Sequence, residues 1–142
     1  MNTYKELREK QQEEIDNLPL VFAFSNKQFA EAMQKLGLKE TETDKIYKFG
    51  NTGGFYLKTD SKKISDTFNG HHAQLKQAIE NDLTGNGFIY DMFNYELANH
   101  EYCITYNVEE TLTVLDLTIE EVNANVKLKK ALEKAKENQF NF

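Results

Sequence analysis

The stretch FIYDMFNYELANHEYCITYNVEETLTVLDL, Phe88 to Leu117, decides the fold. Phe88, Ile89, Met92, Phe93 and Leu97 fall on one side of a 3.6-residue period, which predicts a helix at the centre of a core. The period is lost from His100 to Thr105. Asn107 with Glu110, and Thr118 with Glu121 just beyond, have the spacing of capping boxes, and each pair predicts the start of another helix. The same stretch carries five aromatic rings in its first fifteen residues, six carboxylates and the chain's only Cys, with no Lys or Arg.

Upstream, NTYKELREKQQEEIDN places Tyr4, Leu7, Gln11 and Ile15 at helical spacing. This segment is thinly apolar, so residues 1–17 are expected as a peripheral helix that ends before Pro19. LPLVFAF, residues 18–24, predicts a short buried strand or extended segment. Ser25 then caps a helix with Phe29, Ala32, Met33 and Leu36 on its apolar face and Gly37 as its stop. KIYKFGNTGGFYLKT pairs two β-prone aromatic runs across a Gly-rich turn, which predicts a β-hairpin. Asp60 or Ser61 caps the next helix, with Ile64 and Phe68 inward; HHAQLKQAIEND either continues it or restarts after Gly70. LTGNG breaks the chain before Phe88. A last helix is predicted from about Asn125 to Gln139, with Leu128, Leu132 and Ala135 inward. Its lysines, Lys127, Lys129, Lys130, Lys134 and Lys136, face outward as a solvated surface. The predicted fold class is α+β: about six helices around one small antiparallel β-hairpin or sheet, in a single compact domain spanning residues 1–142.

Ten Phe and seven Tyr in 142 residues supply enough apolar area for an ordered core. A single Cys excludes an internal disulfide framework and favours a reducing compartment. The N-terminal residues are charged throughout, so no signal peptide is expected, and no apolar run approaches the ~20 residues that span a bilayer. A cytoplasmic monomer or homodimer follows, without membrane or cofactor.

Charge is unevenly spread along the chain. From Gln77 to Val126 there are ten carboxylates and no Lys or Arg, while the remainder holds 13 acids and 17 bases. Acids in first helical turns satisfy the helix dipole at Glu109, Glu110, Glu120 and Glu121, but that preference does not explain the missing lysines. An acidic face would repel nucleic acid and attract basic protein surfaces. Asp91, Tyr95 and Tyr102 lie at i, i+4 and i+11 of one helical stripe. With Glu96 and Glu101, and with Glu109 and Glu110 on the next helix, they form the expected partner-binding patch, against the plainer reading in which tyrosines line the core edge and acids are merely solvated.

Candidate chemistry is sparse, and no catalytic residue is assigned. Glu96, His100 and Cys103 have spacing that could bring them to one metal ion on a continuous helix. A helical Glu–His pair and a lone buried Cys are, however, common without metal. Cys103 as a nucleophile with His100 or His71 as base lacks any supporting sequence context. GNTGG and TGNG are not phosphate-binding fingerprints, since neither follows a strand into a helix with the required Lys.

GGFYLKTDS, the stretch FIYDMFNYELANHEYCITYNVEETL and LTIEEVNAN resemble a family of unknown function: small acidic proteins of Gram-positive gut bacteria, often encoded near mobile elements. The resemblance covers roughly Phe22 to Lys136. It implies an accessory protein that disables a host defence, by analogy with anti-CRISPR and anti-restriction proteins that occupy a basic nucleic-acid site. Three functions therefore compete: a protein-binding inhibitor with an acidic Tyr-rich face, a small-ligand or nucleotide-binding module with an aromatic pocket, and a metal- or Cys-dependent enzyme at His100 and Cys103.

Overall fold

The computed structural model describes residues 3–141. Residues 1, 2 and 142, part of the single domain expected above, lie outside the described residues.

Helix α1 (Tyr4–Asp16) starts at a reciprocal cap: Glu6 N–H donates to Thr3 Oγ1, and Thr3 N–H donates to the Glu6 carboxylate. The two-residue strand β1 (Val21–Phe22) follows Pro19. Helix α2 (Asn26–Lys35) is capped by the Ser25 hydroxyl, which accepts from Gln28 N–H. Strands β2 (Ile46–Phe49) and β3 (Gly54–Leu57) form the expected hairpin. All three strands pair antiparallel in the order β1-β3-β2, with Val21 opposite Phe55 and Lys48 opposite Phe55 on its other side. A 3₁₀ turn over Lys58–Asp60 leads directly into α3 (Ser61–Asn81), which runs unbroken through Gly70.

Helix α4 (Phe88–Asn99) is the predicted core helix, followed by α5 (Tyr102–Thr105), α6 (Glu109–Val114), α7 (Ile119–Asn123) and α8 (Val126–Asn138). Thr118 and Glu121 complete a capping box at α7. At α6 the Asn107 carboxamide instead accepts from Glu109 N–H, two residues on, so the helix starts later than the Asn107–Glu110 spacing predicts. The fold is α+β as expected, with eight α-helices among the described residues where about six were predicted. The surplus comes from pieces such as the four-residue α5, too short to show a period in sequence.

Residue contacts group into two compact units whose boundaries fall inside α1 and α3. One comprises the N-terminal segment to Gln11 together with Ala73 onward. Its core is Tyr4, Ile89, Met92, Phe93, Leu97, Tyr102, Leu112, Leu115, Val122 and the inner face of α8 at Leu128, Ala131, Leu132 and Ala135. The dominant packing is α4 against α8. The other unit runs from Gln12 to His72 and has a smaller buried cluster, Ala32, Met33 and Phe55 between α2 and the sheet, with Phe29, Leu36 and Ile46 around it. Of the buried strand or extended segment predicted over residues 18–24, only Val21–Phe22 is strand; Leu18 is buried but lies in a bend before it, and the rings of Phe22 and Phe24 are exposed. Among the described residues no helix is long and apolar enough to cross a membrane.

Candidate functional site

Each acid of the Lys-free segment has a place in the unit that begins again at Ala73, and, besides Glu121 in the capping box of α7, three of them hold the fold. Asp82 closes the loop before α4. Its carboxylate accepts from the backbone N–H groups of Gly85 (3.0 Å), Gly87 (3.2 Å) and Ile89 (2.9 Å), which satisfies a donor at the start of α4. Partial burial alone pushes its pKa up, but the hydrogen bonds from Ile89, Gly85 and Gly87 outweigh it and leave the carboxyl below the usual Asp value. Asp91 accepts from Tyr4 N–H at 3.0 Å and so caps α1 across 87 residues of sequence.

Glu96 is the third, and it corrects the expected patch. It is 1% exposed, so it cannot face a partner. The Tyr4 hydroxyl donates to its Oε2, Arg8 Nε lies 3.7 Å from the same oxygen, and Asn99 Nδ2 donates to Oε1 at 3.4 Å. Its backbone carbonyl accepts from the Thr111 hydroxyl at 3.2 Å. Burial, then the hydrogen bond to Glu96, push the Tyr4 hydroxyl pKa well above the ordinary tyrosine value. Tyr102 is also buried, against the expectation of an exposed anchor. Helix α4 stops at Asn99 and Glu101 takes a left-handed backbone, so the stripe extrapolated from Asp91 to Tyr102 does not exist.

The same break disposes of the metal candidate. Glu96, His100 and Cys103 no longer share one helical face, and His100 Nδ1 lies 2.9 Å from the Glu96 carbonyl, a bond that needs its proton on that nitrogen. Among the described residues no group of three His, Cys, Asp or Glu side chains is placed to hold a metal ion. Cys103 is half-buried and unpaired with another Cys.

Of the expected patch, the acids that remain at the surface lie on or beside α5 and α6, and Tyr95 lies on α4. Glu101, Glu109, Glu110 and Tyr95 are exposed. So are two residues outside the expected patch: Ile104 at 72% and Tyr106 at 69%. The Tyr106 ring stacks on Phe140 at 5.5 Å, and Tyr102 packs edge-on against both. Beside it lies a shallow recess of about 590 Å³ lined in part by Tyr106, Val108, Glu109, Leu112 and Ile119. None of Glu101, Glu109 and Glu110 pairs with a basic side chain among the described residues. Two lysines of α8 are engaged with other residues: Lys127 Nζ donates to the Asp82 carbonyl at 2.9 Å, and Lys134 sits 5.1 Å over the Tyr90 ring.

This region also holds the backbone's unusual conformations. The non-glycine residues with positive φ among the described residues are Glu101 (55°), Tyr106 (56°) and Asp116 (54°). Such a conformation costs about 1–2 kcal/mol in a residue with a Cβ. At Tyr106 it ends α5 and turns the ring outward, while Tyr102, one turn earlier, points into the core.

A family model described as a family of unknown function (DUF7659) matches residues 3–138. No curated protein and no solved structure matches the chain.

Proposed function

The chain belongs to that family, and from the geometry of its surface we propose that it is a protein-binding protein whose contact face is built on α5 and α6. The partner is a basic protein surface. Tyr106 and Ile104 are the apolar anchors, and Glu101, Glu109 and Glu110 are the carboxylates around them; of the expected patch, Tyr95 packs on Tyr4, while Glu96, Asp91 and Tyr102 serve the fold. One observation carries this reading: Tyr106 is held outward by a left-handed backbone inside a fifty-residue stretch with ten acids and no base. Left-handed residues with a Cβ cluster at ligand clamps and switch regions as well as at helix ends, and Tyr is favoured where interfaces bury an anchor. The carboxylates raise the on-rate toward a basic surface and make binding salt-sensitive.

The partner class comes from the resemblance to small acidic proteins carried near mobile elements of Gram-positive gut bacteria. It would be a host defence nuclease, of the CRISPR or restriction type, whose basic nucleic-acid channel the acidic face occupies. Binding takes place in the cytoplasm, without cofactor and without direct contact to nucleic acid.

The test compares the wild-type chain with a Glu109→Lys/Glu110→Lys variant and with Tyr106→Ala. Both should melt close to wild type, because exposed charges and an exposed ring add little to folding. Each should lose roughly tenfold or more in affinity for partners retained from a bacterial lysate at low salt, and in inhibition of a purified CRISPR or restriction nuclease. Folded variants that bind and inhibit as well as wild type would defeat the proposal.

A further inference from the structure

The Gln12–His72 unit carries a second site, independent of the acidic face. Phe24 is 76% exposed, yet its ring is not loose. It rests against Gly53: a Cβ at that position would lie 2.6 Å from the ring's Cε1 and 3.2 Å from the Ala23 carbonyl oxygen. Gly53 has φ +81°, so glycine is required there both by the backbone and by the ring it seats. Behind the ring, Phe24 N–H donates to the Gln28 side chain at 2.8 Å, and Gln28 N–H donates to Ser25 Oγ at 3.2 Å. The start of α2 thus fixes the backbone that presents Phe24. An exposed phenyl ring held in one place is pre-organised to stack against something flat.

The ring borders a cleft of about 520 Å³ between the start of α2 and the hairpin, a size suited to a small molecule. Phe29 and Phe55, with ring centroids 5.3 Å apart, form its apolar wall together with Ile46. Lys48, on β2, is the one charged residue among the twelve that line the cleft. It is exposed and joined to no carboxylate among the described residues, and no acid lines the cleft to compete with an incoming anion. Gly50 and Gly53 leave the hairpin turn without side chains that would fill the space.

We propose that this cleft binds a small molecule in which a flat ring carries an anionic group, the ring against Phe24 and the anion on Lys48. The apolar wall and the seated ring select a flat apolar body, and the single unopposed cation selects the sign of its charge.

The experiment is an amide NMR titration of the full chain. The probes are AMP and indole-3-acetate, with adenosine and inorganic phosphate as the separated halves. At least one of the two joined probes should shift the amides of Phe24, Lys48 and Gly53 at millimolar concentration or below. Adenosine and phosphate should bind roughly tenfold more weakly than AMP. Phe24→Ala and Lys48→Ala should each weaken binding by roughly tenfold, since one stacking contact or one charge contact is lost. Both residues are exposed, so unchanged amide positions elsewhere in the spectrum verify that each variant is folded. The proposal is overturned if neither joined probe shifts these amides, if either substitution leaves binding of the responding probe unchanged, or if AMP responds and adenosine binds as well as AMP. None of these outcomes bears on the α5–α6 face.

Discussion

Some aromatic rings of the two units are held by opposite devices. In the unit that begins again at Ala73, Phe93 and Tyr4 are fully buried and the acids around them are structural. In the Gln12–His72 unit, Phe22 and Phe24 stay outside, each with its ring laid on a glycine of the hairpin. Burial places a ring by exclusion of water, and its removal leaves a hole. A glycine seat places a ring by shape, and its removal leaves open solvent. An aromatic residue in sequence therefore announces a ring but not which of these two devices will hold it.

Truncating one ring of each kind gives the largest expected contrast. Phe93→Ala should cost about 3–5 kcal/mol, because the side chain is fully enclosed between α4 and its neighbours. Phe24→Ala should stay within about 0.5 kcal/mol of wild type, as for an exposed site. Urea denaturation of the two variants measures both. Equal losses would mean that the Phe24 ring is held by the fold's core and is not a free platform.

A mid-sized effect is expected where a buried ring and a buried acid meet. Tyr4→Phe removes the donor to Glu96 and should cost about 1–3 kcal/mol near neutral pH, since a hydrogen bond to a charged group is lost. The alkaline limb distinguishes this from a packing effect. The folded-state pKa of Tyr4 is raised, first by burial and then by the Glu96 bond. Its contribution is therefore complete below the unfolded tyrosine value of about 10 and is lost as the pH rises past it. Wild type should lose stability above about pH 10 more steeply than Tyr4→Phe, and the gap between them should narrow. A gap that stays constant with pH would exclude the ionisation of Tyr4 as its origin.

Much of this could be read in the sequence, and the misses have physical causes. The helix at Phe88, the hairpin, the Ser25 and Thr118 caps and the inner face of α8 followed from period and capping chemistry. Glu96 was also legible: it stands seven residues after Ile89 and three after Phe93, inside the apolar arc, and only its charge argued for the surface. Its partners were not legible, because Tyr4 lies 92 residues away in the chain. The patch failed at Tyr102 because a left-handed residue at Glu101 resets the helical phase, and Glu is not a residue type that announces such a turn. Phe22 and Phe24 failed because an apolar run reads as buried unless one sees the glycines opposite it. Ile104 and Tyr106, the anchors of the proposed contact face, fall where the periodicity has already ended.

The smallest expected effect concerns how each unit ends a helix. Helices α2 and α6 finish in the same way. After α2, Leu38 N–H donates to the Met33 carbonyl (2.9 Å) and Gly37 N–H to the Gln34 carbonyl (2.9 Å). After α6, Leu117 N–H donates to the Leu112 carbonyl (2.9 Å) and Asp116 N–H to the Thr113 carbonyl (3.1 Å). Both are Schellman closures with an apolar residue two positions past the cap. The turning residue is Gly37 at φ +76° in the first and Asp116 at φ +54° in the second. A Cβ in that conformation is strained, so Asp116→Gly should relieve strain while making the unfolded chain more flexible. The net expectation is a gain of about 0.5–1 kcal/mol, because the native backbone already has the shape that glycine prefers. A thermal melt read against Gly37→Asp, which should lose a similar amount, measures the exchange in both directions. If Asp116→Gly proves destabilising, the Asp side chain does more at that turn than fill a glycine's place. The strain there would then be part of how the acidic unit holds its surface, and not a cost that it merely tolerates.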